Sequence, residues 1–276
     1  MRRTLTDELV GAPAPTVVVV GEFDGVHIGH AQLMRAALER ARADGCTVAG
    51  AVVETPATTD RIVDARRRCE LVLRQGLSWA FVTRIPRPAD LPAVLSSTLK
   101  LRTVASLVID YETWPAADRS PLRTYLERWS IPYVEASPFV DDELGRIDAA
   151  RIITTIRVGD VERAAAMLGH PVELAGRLTP GQEPVDVSEG KVVTADLLPV
   201  EGIAMPPAGR YAGWAQLGRR RLRSALCIGS RPGTGQSGPI HVEVKLLDAL
   251  RYPPADDVTL FFEARLRDDE GVDDDD

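Results

Sequence analysis

The sequence predicts a doubly wound α/β domain with a parallel sheet, followed by a small antiparallel β-barrel. Two observations carry this. In the first half, β-branched runs alternate with helical stretches over short connections. After Gly169, Pro and Gly punctuate the chain at short intervals and the segments between them alternate apolar and polar. A chain of 276 residues is long enough to bury two modest cores. The expected division is 1–170 for the α/β domain, 171–267 for the barrel and 268–276 for an acidic tail.

Thr16-Val17-Val18-Val19-Val20 has no polar alternation, the pattern of a strand buried on both faces of a parallel sheet. A helix over 31–44 follows and ends at Asp44-Gly45, and a strand over 47–53 completes one β-α-β unit. The alternation continues with a helix over 65–75, a strand over 79–83, a helix over 91–99, a strand over 105–109, a helix over 122–129 and a strand over 132–135. A helical stretch over 147–168 closes the domain. In the barrel, Ile240-His241-Val242-Glu243-Val244-Lys245-Leu246 has period two and 258–266 is rich in strand formers. Residues 268–276 are nearly all acidic with Val272 as the lone apolar anchor, which predicts a disordered, solvated tail.

Bulk charge narrows the partners. With 33 Lys and Arg against 40 Asp and Glu the formal charge is -7, so a nucleic-acid or anionic-membrane partner is not expected, while a small anionic ligand in a locally positive pocket is. Cys46, Cys69 and Cys227 are widely separated, lack C-x-x-C spacing and leave an odd one over. That fits buried thiols in a reducing cytoplasm, and no metal site is expected from them. Acidic residues follow Met1 before any apolar stretch of signal length, and no run approaches the ~18 apolar residues of a membrane span. The expected location is the cytoplasm; the oligomeric state is not legible.

The chemistry concentrates directly after the first strand, in Gly21-Glu22-Phe23-Asp24-Gly25-Val26-His27-Ile28-Gly29-His30. In a doubly wound sheet ligands sit at the carboxyl ends of the strands, where a helix N-terminus offers N–H groups and partial positive charge to phosphate. Gly21, Gly25 and Gly29 let the backbone turn sharply and approach a ligand. His27 and His30, three apart, can point into one pocket and donate to phosphate oxygens as charge develops there. Asp24 fits equally a site acid and the turn-former of an Asp-Gly pair.

At these residues the chain resembles the bifunctional prokaryotic FAD synthetases, in which an HxGH nucleotidyltransferase domain (FMN adenylyltransferase) precedes a riboflavin kinase barrel. The first motif matches at Gly21, Phe23, Asp24, Gly25, His27, Gly29, His30 and Leu33. The junction Val158-Gly159-Asp160-Val161-Glu162 to Met167-Leu168-Gly169-His170-Pro171 is similar too, as are Gly209-Arg210-Tyr211-Ala212-Gly213-Trp214, Ile228-Gly229-Ser230-Arg231-Pro232, Leu247-Asp248 and Arg265-Leu266-Arg267. The resemblance implies AMP transfer from ATP to FMN, with ATP and Mg²⁺ as cofactors and FMN or FAD as substrate or ligand.

Departures are as specific. The family's Ser-Ser-Thr-x-x-Arg motif, which holds the ATP phosphates, is replaced by Asp148-Ala149-Ala150-Arg151-Ile152-Ile153, so that hydroxyls are lost and an aspartate would face phosphate. Arg151 or Arg157 is the candidate replacement for the lost arginine, each displaced along the helix. Glu54-Thr55-Pro56-Ala57 stands for the family's Pro-His-Pro, and Asp110-Tyr111-Glu112-Thr113-Trp114 keeps aromatics without the flavin-contacting spacing. In the barrel, Gly190-Lys191-Val192-Val193-Thr194-Ala195-Asp196 stands for Gly-Phe-Pro-Thr-Ala-Asn, so Thr194 and Asp196 are a remnant of the Mg-ATP site. Pro184-Val185-Asp186-Val187-Ser188-Glu189 is acidic where ATP would be covered. Glu243 occupies the position of the kinase's catalytic base, although by pattern alone, alternating with Val242 and Val244, it is most simply a solvated strand position. The resemblance therefore implies an impaired kinase half. A non-catalytic flavin- or nucleotide-binding paralogue and a transferase with a changed substrate remain the alternatives.

Overall fold

A computed structural model of the protein describes residues 4–5, 15–56, 60–87, 90–91, 93–94, 104–110, 116–180, 185–187, 190–230, 240–247 and 257–266. They form two compact units, Met1–Arg151 and Ile152–Asp276. Most of the helix expected over 91–99, the aromatic stretch 111–114 and the tail 268–276 lie outside the described residues.

The first unit is built on a parallel sheet of β1 (Thr4–Leu5), β2 (Thr16–Gly21), β3 (Thr47–Glu54), β4 (Trp79–Arg84), β5 (Val104–Ile109) and β6 (Tyr133–Glu135). Their spatial order is β1-β4-β3-β2-β5-β6. The chain builds outward from β2 through β3 to β4, then returns to the other side of β2 for β5 and β6. The order thus reverses between β2 and β5, and the carboxyl ends of these two strands open the crevice in which such sheets place their ligands. Val17, Val18, Val19 and Val20 are all buried, the two-sided burial that their run predicts. Val18 and Val20 share a core with Ala49, Ala51, Phe81 and Leu107.

The helices differ from expectation at their ends. Helix α1 (Ile28–Ala43) begins three residues before the expected start, because His27 caps it. Helix α2 (Ala65–Arg74) is capped by Asp64, whose carboxylate accepts from the Arg67 N–H at 2.8 Å. Helix α3 (Ala116–Arg128) starts earlier than expected and runs through Pro121. A short hairpin follows, β7 (Val140–Asp141) and β8 (Gly145–Arg146). The single helix expected over 147–168 is two, α4 (Ala149–Arg157) and α5 (Val161–Leu168). Gly159 breaks it with φ of 86°, a conformation open to glycine, and Asp160 caps α5.

The second unit carries β9 (Val172–Pro180), β10 (Val185–Val187), β11 (Gly190–Pro199), β12 (Gly209–Leu217), β13 (Arg220–Ser230), β14 (Ile240–Leu246) and β15 (Asp257–Leu266). Six of them close into an antiparallel barrel in the order β9-β11-β14-β13-β12-β15, with the β15–β9 pairing completing the ring. Val193, Ala195, Val242, Val244 and Leu246 fill its interior. Within the acidic segment, residues 185–187 form the short strand β10 paired with β11.

Candidate functional site

The loop between β2 and α1 is held in an improbable shape by buried charge. Phe23 and Val26 take left-handed φ values of 50° and 46°, and Gly25 takes 71°. Phe23 is fully buried, and its ring stands edge-on to His30 at 5.3 Å. Asp24 is committed to the fold: its carboxylate accepts from the backbone N–H groups of Ile62 and Val63 at 3.0 and 3.2 Å. Beneath it Arg68, 1% exposed, donates to the carbonyls of Glu22 at 2.9 Å and Val53 at 3.1 Å. Glu22 in turn accepts from Thr55 and from Arg61. Burial works against both central charges, raising the Asp24 carboxyl and lowering the Arg68 guanidinium from their ordinary values, although each draws the other back toward its charged form.

The direction of the Asp24 shift makes stability depend on pH with a definite sign. A carboxyl raised in the folded state contributes stability that is fully present below its ordinary value of 3.8 and is lost as pH rises through its folded value. Asp24→Asn, which fixes a neutral group, should therefore gain stability relative to the parent as pH increases from acid to neutral. Urea midpoints of the two proteins across that range measure it, and a variant that loses ground to the parent as pH rises would contradict the burial argument.

His27 and His30 converge above this base. His27 Nδ1 accepts from the His30 backbone N–H at 3.4 Å, which leaves Nε2 as the N–H donor of a neutral ring. The two imidazoles stack with centroids 3.6 Å apart. His30 Nε2 meets Asp110 Oδ2 at 2.9 Å. Asp110 directly follows β5, so this contact spans the reversal of strand order. Gly21 and Gly29 are required by packing: a Cβ on Gly21 would lie 2.7 Å from the Phe23 ring and 2.9 Å from Asp110 Cβ, and one on Gly29 would lie 2.7 Å from Phe139 Cβ.

These groups line a cleft of about 580 Å³. Its lining brings together His27, His30 and Leu33 with Pro138, Phe139 and Arg146 from the hairpin and the segment before it. Neither Arg151 nor Arg157 lines it. Arg151 Nη1 donates to the Arg146 carbonyl, and Arg157 is exposed in the last turn of α4. Asp148 does not face the cleft as a bare charge, contrary to the expectation from sequence: Oδ1 accepts from the Arg151 N–H at 2.8 Å and Oδ2 pairs with Arg146 Nε at 3.1 Å. Sequence reasoning named Asp110 only as the start of the stretch 110–114 and did not name Arg146 at all. The first had a signal, an acid at the carboxyl end of the strand beside β2; the second, in a hairpin of two-residue strands, had none.

In the barrel, Thr194, Asp196 and Glu243 share one face of β11 and β14, with Asp196 opposite Glu243 in the register. Asp196 Oδ1 lies 2.9 Å from His241 Nε2, and Glu243 Oε1 lies 3.4 Å from Lys245 Nζ. Each carboxylate therefore has a basic side chain of β14 close by. Cys69 is buried and its thiol is pushed up to about 12 by that burial, while Cys46 and Cys227 are half-buried rather than fully buried as expected. Among the described residues no group of three or more His, Cys, Asp and Glu side chains could hold a metal ion, and no helix is long and apolar enough to cross a membrane.

A parallel sheet with His-x-Gly-His at its reversal point, followed by a closed six-stranded barrel, defines the FAD synthetase architecture. Family models agree: FAD synthetase matches residues 11–83 and riboflavin kinase matches residues 168–275. The chain is 24% identical over 268 residues to a bifunctional riboflavin kinase/FMN adenylyltransferase of Pseudomonas fluorescens, covering 92% of this chain and 85% of that one. The crystal structure of a macrolide-efflux protein from Streptococcus pneumoniae superposes with a TM-score of 0.75 at 22% identity, over 98% of this chain and 93% of that one, which establishes likeness of fold. The chain is a divergent member of the bifunctional riboflavin kinase/FMN adenylyltransferase family.

Proposed function

We propose that the first unit transfers AMP from ATP to FMN and that the barrel has little or no riboflavin kinase activity. The observation that supports transfer is the stacked His27–His30 pair in a cleft at the reversal of strand order. In this reaction an FMN phosphate oxygen attacks the α-phosphorus of ATP, a new P–O bond forms, the bond to pyrophosphate breaks, and FAD and pyrophosphate leave. His27 Nε2–H, its tautomer set by the α1 cap, donates to the phosphate on which charge grows. His30 is oriented by Asp110 and backed by Phe23, so neither ring has to reorganise as the reaction proceeds. Mg²⁺ would neutralise phosphate charge here, and Asp110 is the lining carboxylate that would help hold it.

For the barrel, the pairings Asp196–His241 and Glu243–Lys245 support impairment. In each pair the basic side chain lies close to a carboxylate oxygen and competes for it with any other ligand. The test is product analysis of the purified protein with FMN, ATP and Mg²⁺, and separately with riboflavin, ATP and Mg²⁺. FAD is expected from the first mixture and almost no FMN from the second. Ready FMN formation that Glu243→Gln abolishes would restore the fully bifunctional reading, and absence of FAD with retained nucleotide binding would favour a non-catalytic paralogue.

A further inference from the structure

We infer that Arg146, steered by Asp148, is the residue that neutralises the phosphates of the nucleotide, in place of the arginine lost from α4. This rests on the nucleotide reading of the cleft given above. Asp110 and Arg146 are the fixed charges among the residues that line the cleft. Asp110 alone would repel a triphosphate in a chain whose formal charge is already -7, so a polyanion needs a cation in the cleft. Arg146 supplies it, and a guanidinium presents a planar fork that matches two phosphate oxygens at once.

The hairpin that carries Arg146 is braced. Asp141 Oδ1 accepts from the N–H groups of Glu143 and Leu144, both at 2.9 Å, and holds the turn. The Ile147 N–H donates to the Phe139 carbonyl at 3.1 Å and closes the base. Gly145 turns through a φ of 74°, and Arg151 clamps the Arg146 carbonyl. The backbone of Arg146 is therefore fixed while its side chain, 59% exposed, stays accessible. Asp148 holds Nε at 3.1 Å, which leaves the two terminal nitrogens of the fork for the ligand. The aspartate that replaces a family hydroxyl thus orients a cation, and Arg151 acts on the backbone beneath it.

Titration calorimetry of the full chain with ATP, and with adenosine as a probe that lacks phosphate, tests this. Arg146→Ala should weaken ATP by about ten- to hundred-fold and leave adenosine unchanged, because only the charged hydrogen bonds are lost. Arg146→Lys should recover part of the affinity, and the salt dependence of ATP binding should be shallower in Arg146→Ala. Equal ATP affinity in wild type and Arg146→Ala would overturn the inference and leave the nucleotide reading standing. Loss of ATP affinity in Arg157→Ala but not in Arg146→Ala would do the same. Wild type that binds neither ATP nor any other nucleotide would overturn the nucleotide reading itself.

Discussion

Replacing both His27 and His30 with alanine is expected to abolish measurable FAD formation and to weaken ATP binding. Loss of one preorganised donor to developing charge costs roughly 10²- to 10³-fold in rate, and the His30 ring stacked on His27 helps hold that donor in place. In such a variant the effects are mixed, because His27 also caps α1 and His30 also holds Asp110. A single change separates the roles. Asparagine is among the best N-cap residues, so His27→Asn should keep the acceptor for the His30 N–H and the stability of α1 while losing the imidazole donor. The expected result is wild-type thermal unfolding with FAD formation reduced ~10²-fold or more. If His27→Asn and the double alanine variant both make FAD at the parental rate, these histidines are not the phosphate site.

Arg68→Met is expected to destabilise the first unit more than any surface change, by about 3–5 kcal/mol. The side chain is buried to 1% exposure, and removing it strands the carbonyls of Glu22 and Val53 and deprives the buried Asp24 of its countercharge. Domains of this size are stable by only ~5–15 kcal/mol, so the loss is a large fraction of the whole. Adding Asp24→Asn should return part of it, since the uncompensated charge is then gone. Denaturant titrations of the four proteins in the cycle give the coupling directly. Additive effects would mean that Arg68 and Asp24 do not interact across the loop.

The elements legible in the sequence are those whose own residues state their surroundings. The valines of β2 have no polar face to offer, and the alternation of His241, Glu243 and Lys245 with buried Val242, Val244 and Leu246 announces a two-sided barrel strand. Ends are less legible. His27 is an uncommon cap, which disguises the start of α1, and Pro121 resembles a boundary although α3 continues through it. The break at Gly159 is hidden because apolar spacing continues on both sides of it. At the site, the loop from Gly21 to His30 is readable because it is contiguous. Its partners Asp110 and Arg146 arrive through strand order and a hairpin, and neither is encoded by spacing to the histidines.

The contact between His30 and Asp110 joins residues 80 positions apart, and the wall that carries Arg146 comes later still in the chain. During synthesis, at ~5–20 residues per second, β2, β3 and β4 with their helices emerge complete with both histidines and the Arg68 network. At that stage the loop has its shape and no crevice. The crevice appears when β5 docks beside β2 and the hairpin folds over Gly29, closures between distant parts of the chain that are intrinsically slow. Completion of the pocket therefore needs residues later in the chain than the motif, and a chain halted before Arg146 would display the motif without the pocket that gives it meaning.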